Sequence, residues 1–69
     1  MSENNMVNDL DVQPGAIFQG RKGSDRKVVR RVGGEVSYVR RLPNKEWGTE
    51  LRECWITTFC AWALHQLEK

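Results

Sequence analysis

The segment KVVRRVGGEVSYVRRL, residues 27 to 42, decides the fold of this chain. Two valine-containing runs flank Gly33 and Gly34, and a Gly-Gly pair is suited to a two-residue turn with positive φ. Runs of β-branched residues on either side of such a turn are typical of a β-hairpin. We therefore expect strands over about residues 27 to 32 and 35 to 42, joined at the glycines.

The register of this hairpin decides which side chains share a face. A two-residue turn places Val29 opposite Tyr38, and one face then carries Val29, Val36, Tyr38, Lys27, Arg31 and Arg40. A three-residue turn would instead group Val28, Val32, Val36 and Tyr38. Neither face is apolar throughout, so the register stays open by one residue. In both registers some arginines lie on a solvated face.

The chain before the hairpin divides into a tail and a first strand. Residues 1 to 12 are polar and acidic, which predicts a disordered acidic tail. Pro14 and Gly15 form a turn signal ahead of a short apolar run at residues 16 to 18, which we interpret as a strand ending at Gly20. A single small domain is expected after the tail, over residues 13 to 69.

Residues 49 to 57 fit two interpretations. Apolar residues from Leu51 to Trp62 recur at helical spacing, whereas residues 54 to 59 are almost all aromatic or β-branched, which favours a strand. We favour a strand over about residues 50 to 56 and then a helix to about residue 67, capped by Thr57 or Thr58. The inner face of that helix would carry Phe59, Cys60, Ala63, Leu64 and Leu67, with Trp62 at its border.

These elements predict a mainly β, α+β fold. At 69 residues the chain is one domain, close to the smallest size that a single core can hold together. Strands so few and so short must curl to enclose a core. The expected architecture is a small SH3-like antiparallel partial barrel of about four strands with one C-terminal α-helix.

The order "PGAIFQG", a basic loop, "KVVRRVGGEVSYV", a Trp-containing loop and "WITTFCAWA" resembles small proteins encoded by phages and prophages. Such proteins carry a short Gly-centred β-hairpin followed by a helix start of the form TF-x-x-WA. Thr58, Phe59, Trp62 and Ala63 occupy those positions here, and the resemblance covers roughly residues 14 to 64. It implies a bacterial or phage origin and a compact fold, and it supplies no site residues.

Basic residues are concentrated between residues 21 and 41. This segment holds eight Lys or Arg residues against two acidic ones, a local balance of +6, while the whole chain is only +2. Because each Lys or Arg that meets a phosphate releases counterions, an arginine-rich hairpin predicts binding to DNA or RNA. An exposed aromatic ring nearby could stack on a base. The candidate contacts are Arg21, Lys22, Arg26, Lys27, Arg30, Arg31, Arg40, Arg41 and Trp47.

Other interpretations of the same residues stay open. Charged side chains protect solvated strands from aggregation, which requires no ligand. A module that docks on a host or phage protein would use Trp47, Trp55 and Trp62 as anchors, and an acidic groove of the partner would receive the arginines. A homodimer that pairs the C-terminal helix and buries Trp62 and Leu67 is compatible with either function.

Catalysis, metal binding and membrane insertion are not expected. No apolar run approaches the length of a membrane span, and the first residues lack the features of a signal peptide, so we expect a cytoplasmic protein. Cys54 and Cys60 should then be reduced and act as small buried hydrophobic residues. Only His65 could join the two thiols as a metal ligand, and no catalytic constellation occurs, so no cofactor is expected.

Overall fold

The computed structural model describes residues 7–68 of the chain. A 3-10 turn spans Asp9–Asp11, and the remaining elements are β1 (Ile17–Gly20), β2 (Arg26–Val32), β3 (Glu35–Arg40), β4 (Arg52–Trp55), α1 (Ile56–Trp62) and β5 (Ala63–Glu68). The five strands form one antiparallel sheet in the order β4-β3-β2-β1-β5, which curls into a half-barrel. The predicted fold class, a small SH3-like partial barrel with one helix near the C-terminal end, is confirmed, with one strand more than expected.

The predicted two-residue turn of the central hairpin is confirmed. Gly33 has a φ of +57°, a left-handed value that glycine adopts at little cost, whereas Gly34 has no positive φ. This is the pattern of a type II′ turn, whose first central residue is glycine. Val32 pairs with Glu35 directly across the turn.

The hairpin becomes irregular farther from the turn. The register shifts between Val28 and Arg30, so Val29 is the extra residue of a β-bulge. Val28 therefore faces Tyr38, and the predicted pairing of Val29 with Tyr38 is wrong. The alternative register is wrong about Val32, which is 61% exposed. A bulge increases the local twist, which helps so narrow a sheet to curl.

The core lies between one face of the sheet, which we call the inner face, and α1. Phe59 of α1 contacts Phe18 and Tyr38 edge to face, with ring centroids 5.4 and 5.8 Å apart respectively. The opposite side of the sheet is called the outer face. The buried core comprises Val12, Ala16, Phe18, Val28, Val36, Tyr38, Phe59, Cys60 and Ala63.

The helix α1 is shorter than the sequence predicts. Its N-cap is Trp55 rather than Thr57 or Thr58, and the residues after α1 form β5, which pairs with β1. The predicted helix to about residue 67 is therefore wrong in its second half, because pairing with β1 satisfies that backbone as a strand. Leu64 and Leu67, assigned to the buried helix face, are exposed. Among residues 7–68, no helix is long and apolar enough to cross a membrane.

The folded part of the chain begins earlier than residue 13. Residues 1 to 6 of the predicted tail lie outside the described residues. In the rest of that segment Val12 is fully buried in the core and Val7 packs against it. The backbone N–H of Leu10 donates to the side-chain oxygen of Asn8 at 2.9 Å, which helps to close the 3-10 turn.

Candidate functional site

Strand pairing sorts the basic residues of the hairpin onto the two faces of the sheet. Directly paired residues project to the same side, and Arg26 pairs with both Phe18 and Arg40. Arg26 and Arg40 therefore lie on the inner face, at the end of the hairpin away from its turn. Arg52 of β4 pairs with Tyr38 and lies on the same face, diagonally across from Arg40. We name Arg26, Arg40 and Arg52 the inner-face arginine cluster.

Arg26 is the half-buried centre of this cluster. Its guanidinium carbon lies 4.0 Å from the ring centroid of Trp62, 4.5 Å from that of Tyr38 and 6.0 Å from that of Phe59. Contacts of this kind hold the plane of a guanidinium in place and leave its N–H groups available. Within residues 7–68, no acceptor forms a hydrogen bond with this guanidinium and no carboxylate pairs with it.

The charges of the cluster repel one another. Burial is the main cause that lowers the pKa of Arg26, and the positive charges of Arg40 and Arg52 lower it further, while Tyr38 and Cys54 act in the opposite direction. An arginine remains protonated despite such a shift. The repulsion is therefore an unfavourable energy in the free protein, and a bound anion would relieve it.

Glu50 is the acidic neighbour of the cluster. Nη2 of Arg52 lies 3.5 Å from Oε1 of Glu50, and both side chains are largely exposed. An exposed pair of this kind contributes little, because water and salt screen it. A shallow cavity of about 210 Å³ lies beside it, lined by Arg40, Leu42, Gly48, Thr49 and Glu50. A ligand at the cluster would compete with Glu50 for Arg52.

Trp62 connects the cluster to the loop between β1 and β2. Its indole N–H donates to the carbonyl of Lys22 at 2.8 Å, and the backbone N–H of Arg21 donates to the carbonyl of Trp62 at 2.9 Å. Nε of Arg21 also donates to the carbonyl of Ala61 at 2.9 Å. Arg21 and Lys22, both exposed, are thereby held beside the ring on which Arg26 stacks.

The position of the Trp62 ring depends on Gly20. Gly20 pairs with Ala63 where β1 meets β5, and a Cβ atom on Gly20 would overlap the indole ring. The ring could move away only by losing its hydrogen bond to Lys22 and its contact with Arg26. Glycine is therefore required here for the close approach of a ring.

The outer face mixes basic and acidic residues. Arg30 pairs with Ser37, and Glu53 pairs with Ser37 from the other side, so these three residues form one row across the strands. Glu35 lies on the same face, beside the turn. Arg30 therefore has Glu53 two strands away in its row and Glu35 as a diagonal neighbour, and within the described residues it forms an ion pair with neither.

Arg41 and Lys27 lie around Trp47 at the other end of the outer face. The guanidinium carbon of Arg41 is 4.4 Å from the Trp47 ring centroid, and Nζ of Lys27 is 5.7 Å from it. Nε of Arg41 also donates to Oδ2 of Asp25 at 3.2 Å. Trp47 is half-buried, and Arg41 forms an ion pair with Asp25.

Arg31 uses its donors inside the protein. Nε donates to the carbonyl of Gly33 at 2.9 Å, and Nη1 donates to the carbonyls of Asp9 at 2.8 Å and Val12 at 3.4 Å. Arg31 thus ties the 3-10 turn to the hairpin, which leaves fewer of its N–H groups for a ligand. The structure separates the predicted contacts into inner-face, outer-face and structural groups.

Arg52 is the one member of the cluster that the sequence-based prediction left out. Its segment was predicted to be a strand, and Arg52 lies two residues before Cys54, on the same face. The alternation of side chains along a strand was the signal that could have placed Arg52 on the same face as Cys54. The proximity of Arg52 to Arg40 depends on the pairing of Arg52 with Tyr38, because β4 pairs with β3. The sequence alone does not show which strands pair with one another.

The two cysteines are free thiols on the core side of the sheet. Cys60 is buried and Cys54 is half-buried. Burial is the main cause that raises the pKa of each thiol, with Asp9 adding to the effect at Cys60. In the part of the chain that the structure describes, no three His, Cys, Asp or Glu side chains come together as metal ligands.

No known protein family, curated protein or solved structure matches this chain. A function therefore has to follow from the arrangement of its charged and aromatic side chains. The inner-face arginine cluster gathers three of the described basic side chains on one face, and of these three only Arg52 has a carboxylate partner.

Proposed function

We propose that this chain is a non-catalytic, cytoplasmic binding module of phage or prophage origin, and that its partner is nucleic acid. The binding surface is the inner-face arginine cluster, joined by Arg21 and Lys22 of the adjoining loop. One observation carries the proposal. Three arginines from three neighbouring strands share one face, and Glu50 pairs only with Arg52 among them.

A polyanion is the ligand that this surface suits best. Each guanidinium or ammonium group that meets a phosphate releases condensed counterions, so binding is favourable at low salt and weakens steeply as salt is added. Bound phosphates would also offset the repulsion that Arg40 and Arg52 exert on Arg26. We expect a dependence on salt with a slope of about −0.7 for each phosphate contacted on a single strand.

The place of the hairpin in the sheet favours a single strand over insertion into a duplex. The major groove of B-DNA is about 12 Å wide and admits a helix or a two-stranded ribbon. β2 and β3 are flanked by β1 and β4, and four strands spaced about 4.8 Å apart are wider than that groove. A single strand lying across the inner face would meet the inner-face arginine cluster without having to enclose the sheet in a groove.

The test is a pair of charge-reversal variants with the same change in net charge. Arg40→Glu/Arg52→Glu alters the inner-face arginine cluster, and Lys27→Glu/Arg30→Glu alters the outer face. Fluorescence anisotropy with a labelled single strand of about ten nucleotides would be measured from about 50 to 200 mM salt. Amide spectra would show that both variants remain folded. Arg31 is left unchanged because it holds the 3-10 turn.

The inner-face variant should lose about 100-fold in affinity and show a shallower salt dependence. The outer-face variant should lose much less, because Arg30 shares its row with Glu53 and Lys27 lies against the Trp47 ring. Equal losses in both variants would mean that net charge alone governs binding. Absence of binding by the unaltered protein at the lowest salt would refute the nucleic-acid proposal.

A protein-interaction module is the second candidate, and Trp55 favours it. Trp55 is 62% exposed on the outer face and pairs with Glu35, whose other neighbour, Val32, is 61% exposed. An exposed tryptophan that shares a row of the sheet with an exposed apolar side chain has the composition of a binding hot spot. Trp55→Ala should then abolish capture of a host or phage protein while leaving oligonucleotide binding unchanged. Self-association, if present, would appear as a concentration-dependent mass in analytical ultracentrifugation.

A further inference from the structure

Arg26 differs from the other arginines whose partners the structure describes. Arg21, Arg31 and Arg41 each donate a hydrogen bond to an oxygen atom of the protein. Arg26 instead stacks on Trp62 and Tyr38, which fix its plane without using its N–H groups. A planar guanidinium held in this way is prepared for an acceptor with two oxygens side by side, such as a phosphate or a carboxylate.

The three arginines lie on three neighbouring strands, close enough for the charges of Arg40 and Arg52 to act on Arg26. Arg26 and Arg40 are direct partners across β2 and β3, a pairing in which Cα atoms lie about 5 Å apart. Arg52 is the diagonal neighbour of Arg40, at about 7 to 8 Å. Long side chains from such positions can reach the same ligand group.

We propose, building on the nucleic-acid function above, that Arg26, Arg40 and Arg52 form one phosphate site that takes the terminal phosphomonoester of a strand in preference to an internal phosphodiester. A phosphomonoester carries about −1.5 to −2 charge at pH 7 and three terminal oxygens, whereas a phosphodiester carries one charge. Three neighbouring guanidiniums match the group with more charge and more acceptors.

Each arginine has a distinct part in this site. Arg26 provides two parallel N–H donors from a plane fixed by Trp62. Arg40 and Arg52 are exposed and close over the remaining oxygens. Glu50 occupies Arg52 in the free protein, and the phosphate displaces it. Glu50→Gln should therefore bind the phosphorylated strand about two- to threefold more tightly, since an exposed pair of this kind is weak.

The experiment compares strands of one sequence that differ only at the end. A single strand of about ten nucleotides carries its fluorophore at the 3′ end and either a phosphate or a hydroxyl at the 5′ end. A second pair has the label and the phosphate exchanged between the ends. The unaltered protein should bind the better of the two phosphorylated strands about tenfold more tightly than the matching hydroxyl strand.

Three variants show whether the cluster is responsible. Arg26→Lys keeps the charge but loses the planar pair of donors, and Arg52→Ala removes one of the guanidiniums, so both should bind the two ends nearly equally. Arg30→Ala changes net charge as much as Arg52→Ala does but lies on the outer face, and it should keep the preference. Loss of the preference in Arg30→Ala as well would refute the site.

The outcomes also separate this inference from the function on which it rests. Equal binding of phosphate and hydroxyl strands by the unaltered protein would refute the terminal-phosphate site and leave nucleic-acid binding intact. If neither strand binds, the nucleic-acid function fails. Titration with adenosine monophosphate and with adenosine, followed by amide spectra, then shows whether the cluster still binds a phosphate. Amide shifts confined to the cluster, with the monophosphate only, would retain a phosphate site for a small ligand. Absence of amide shifts with the monophosphate would refute both the nucleic-acid function and the phosphate site.

Discussion

The inner and outer faces of the same hairpin carry similar numbers of cations but differ in how those charges are used. On the inner face Arg26 stacks on aromatic rings, and Arg40 and Arg52 lie beside it with Glu50 as the paired carboxylate. On the outer face Arg30 stands in a row with Glu53, and Arg41 pairs with Asp25. A run of basic residues in a sequence therefore does not define a surface, because the pleat of the strands divides it in two.

Replacing a tryptophan on each face should give the largest difference between the faces in the free energy of unfolding. Trp62→Ala removes a ring that packs against Phe59 and supports Arg26, and it should lower the free energy of unfolding by about 3 kcal/mol. Trp55→Ala removes a largely exposed ring and should change it by no more than about 0.5 kcal/mol. Urea titration followed by amide circular dichroism would measure both. Similar losses would mean that Trp55 supports the core in a way that its exposure conceals.

Replacing one glycine beside each tryptophan by alanine tests how tightly each ring is held. In Gly20→Ala the new Cβ overlaps the Trp62 ring, so we expect a loss of about 2 kcal/mol in unfolding free energy and weaker binding of nucleic acid. In Gly34→Ala the new Cβ lies 3.4 Å from the Trp55 ring, an ordinary contact, and the change should be within about 0.5 kcal/mol. Thermal melts of the two variants would measure these changes in stability. A neutral Gly20→Ala would show that the ring can move freely.

Replacing the neighbouring residues Arg31 and Arg30, which lie on opposite faces, should give a smaller difference in stability. Arg31→Ala removes the side-chain donor from the carbonyls of Asp9 and Val12, of which Asp9 keeps the N–H of Val12. The change should cost about 1 kcal/mol of stability, together with faster amide exchange in the 3-10 turn. Arg30→Ala should be within about 0.5 kcal/mol of the unaltered protein. Hydrogen exchange measured by NMR is the suitable readout. Unchanged exchange in Arg31→Ala would remove that residue from the account of the N-terminal turn.

The two thiols on the core side predict a small dependence of stability on alkaline pH. Burial raises the pKa of Cys54 and Cys60, so as pH rises past about 8.5 the unfolded chain loses these protons first. The folded state then holds more protons than the unfolded state, and the free energy of unfolding falls as pH rises. A Cys54→Ala/Cys60→Ala variant should show a flatter profile in urea titrations between pH 8 and 10. Identical slopes would contradict the predicted burial effect.

The turn of the hairpin was predictable because its cause is local. Gly33 can adopt a positive φ with little strain, and the valine runs on either side need no distant partner to be recognised as strands. The bulge at Val29 was not predictable in the same way. It allows Val28 to enter the core and Arg31 to reach the 3-10 turn, and both requirements come from segments distant in sequence.

The errors near the two ends of the domain have a similar origin. Residues after Trp62 have an apolar pattern that fits a helix, but β1 offers them a partner strand, and that pairing is not visible in the sequence. Val12 lies in an acidic segment that resembles a tail, and only the position of the core shows why it is buried. The inner-face arginine cluster was predicted in part, because Arg26 and Arg40 stood in the basic run while Arg52 did not.

The bulge also sets how much the hairpin can change in length. Because Val29 has no partner on β3, removal of this codon should leave the pairs of Val28 with Tyr38 and of Arg26 with Arg40 as they are. β3 contains no such spare residue, so loss of a codon such as that of Val39 would move Arg40 to the outer face, opposite Lys27. Related genes that differ in length within β2 could thus keep the same surface, whereas a deletion in β3 would remove it.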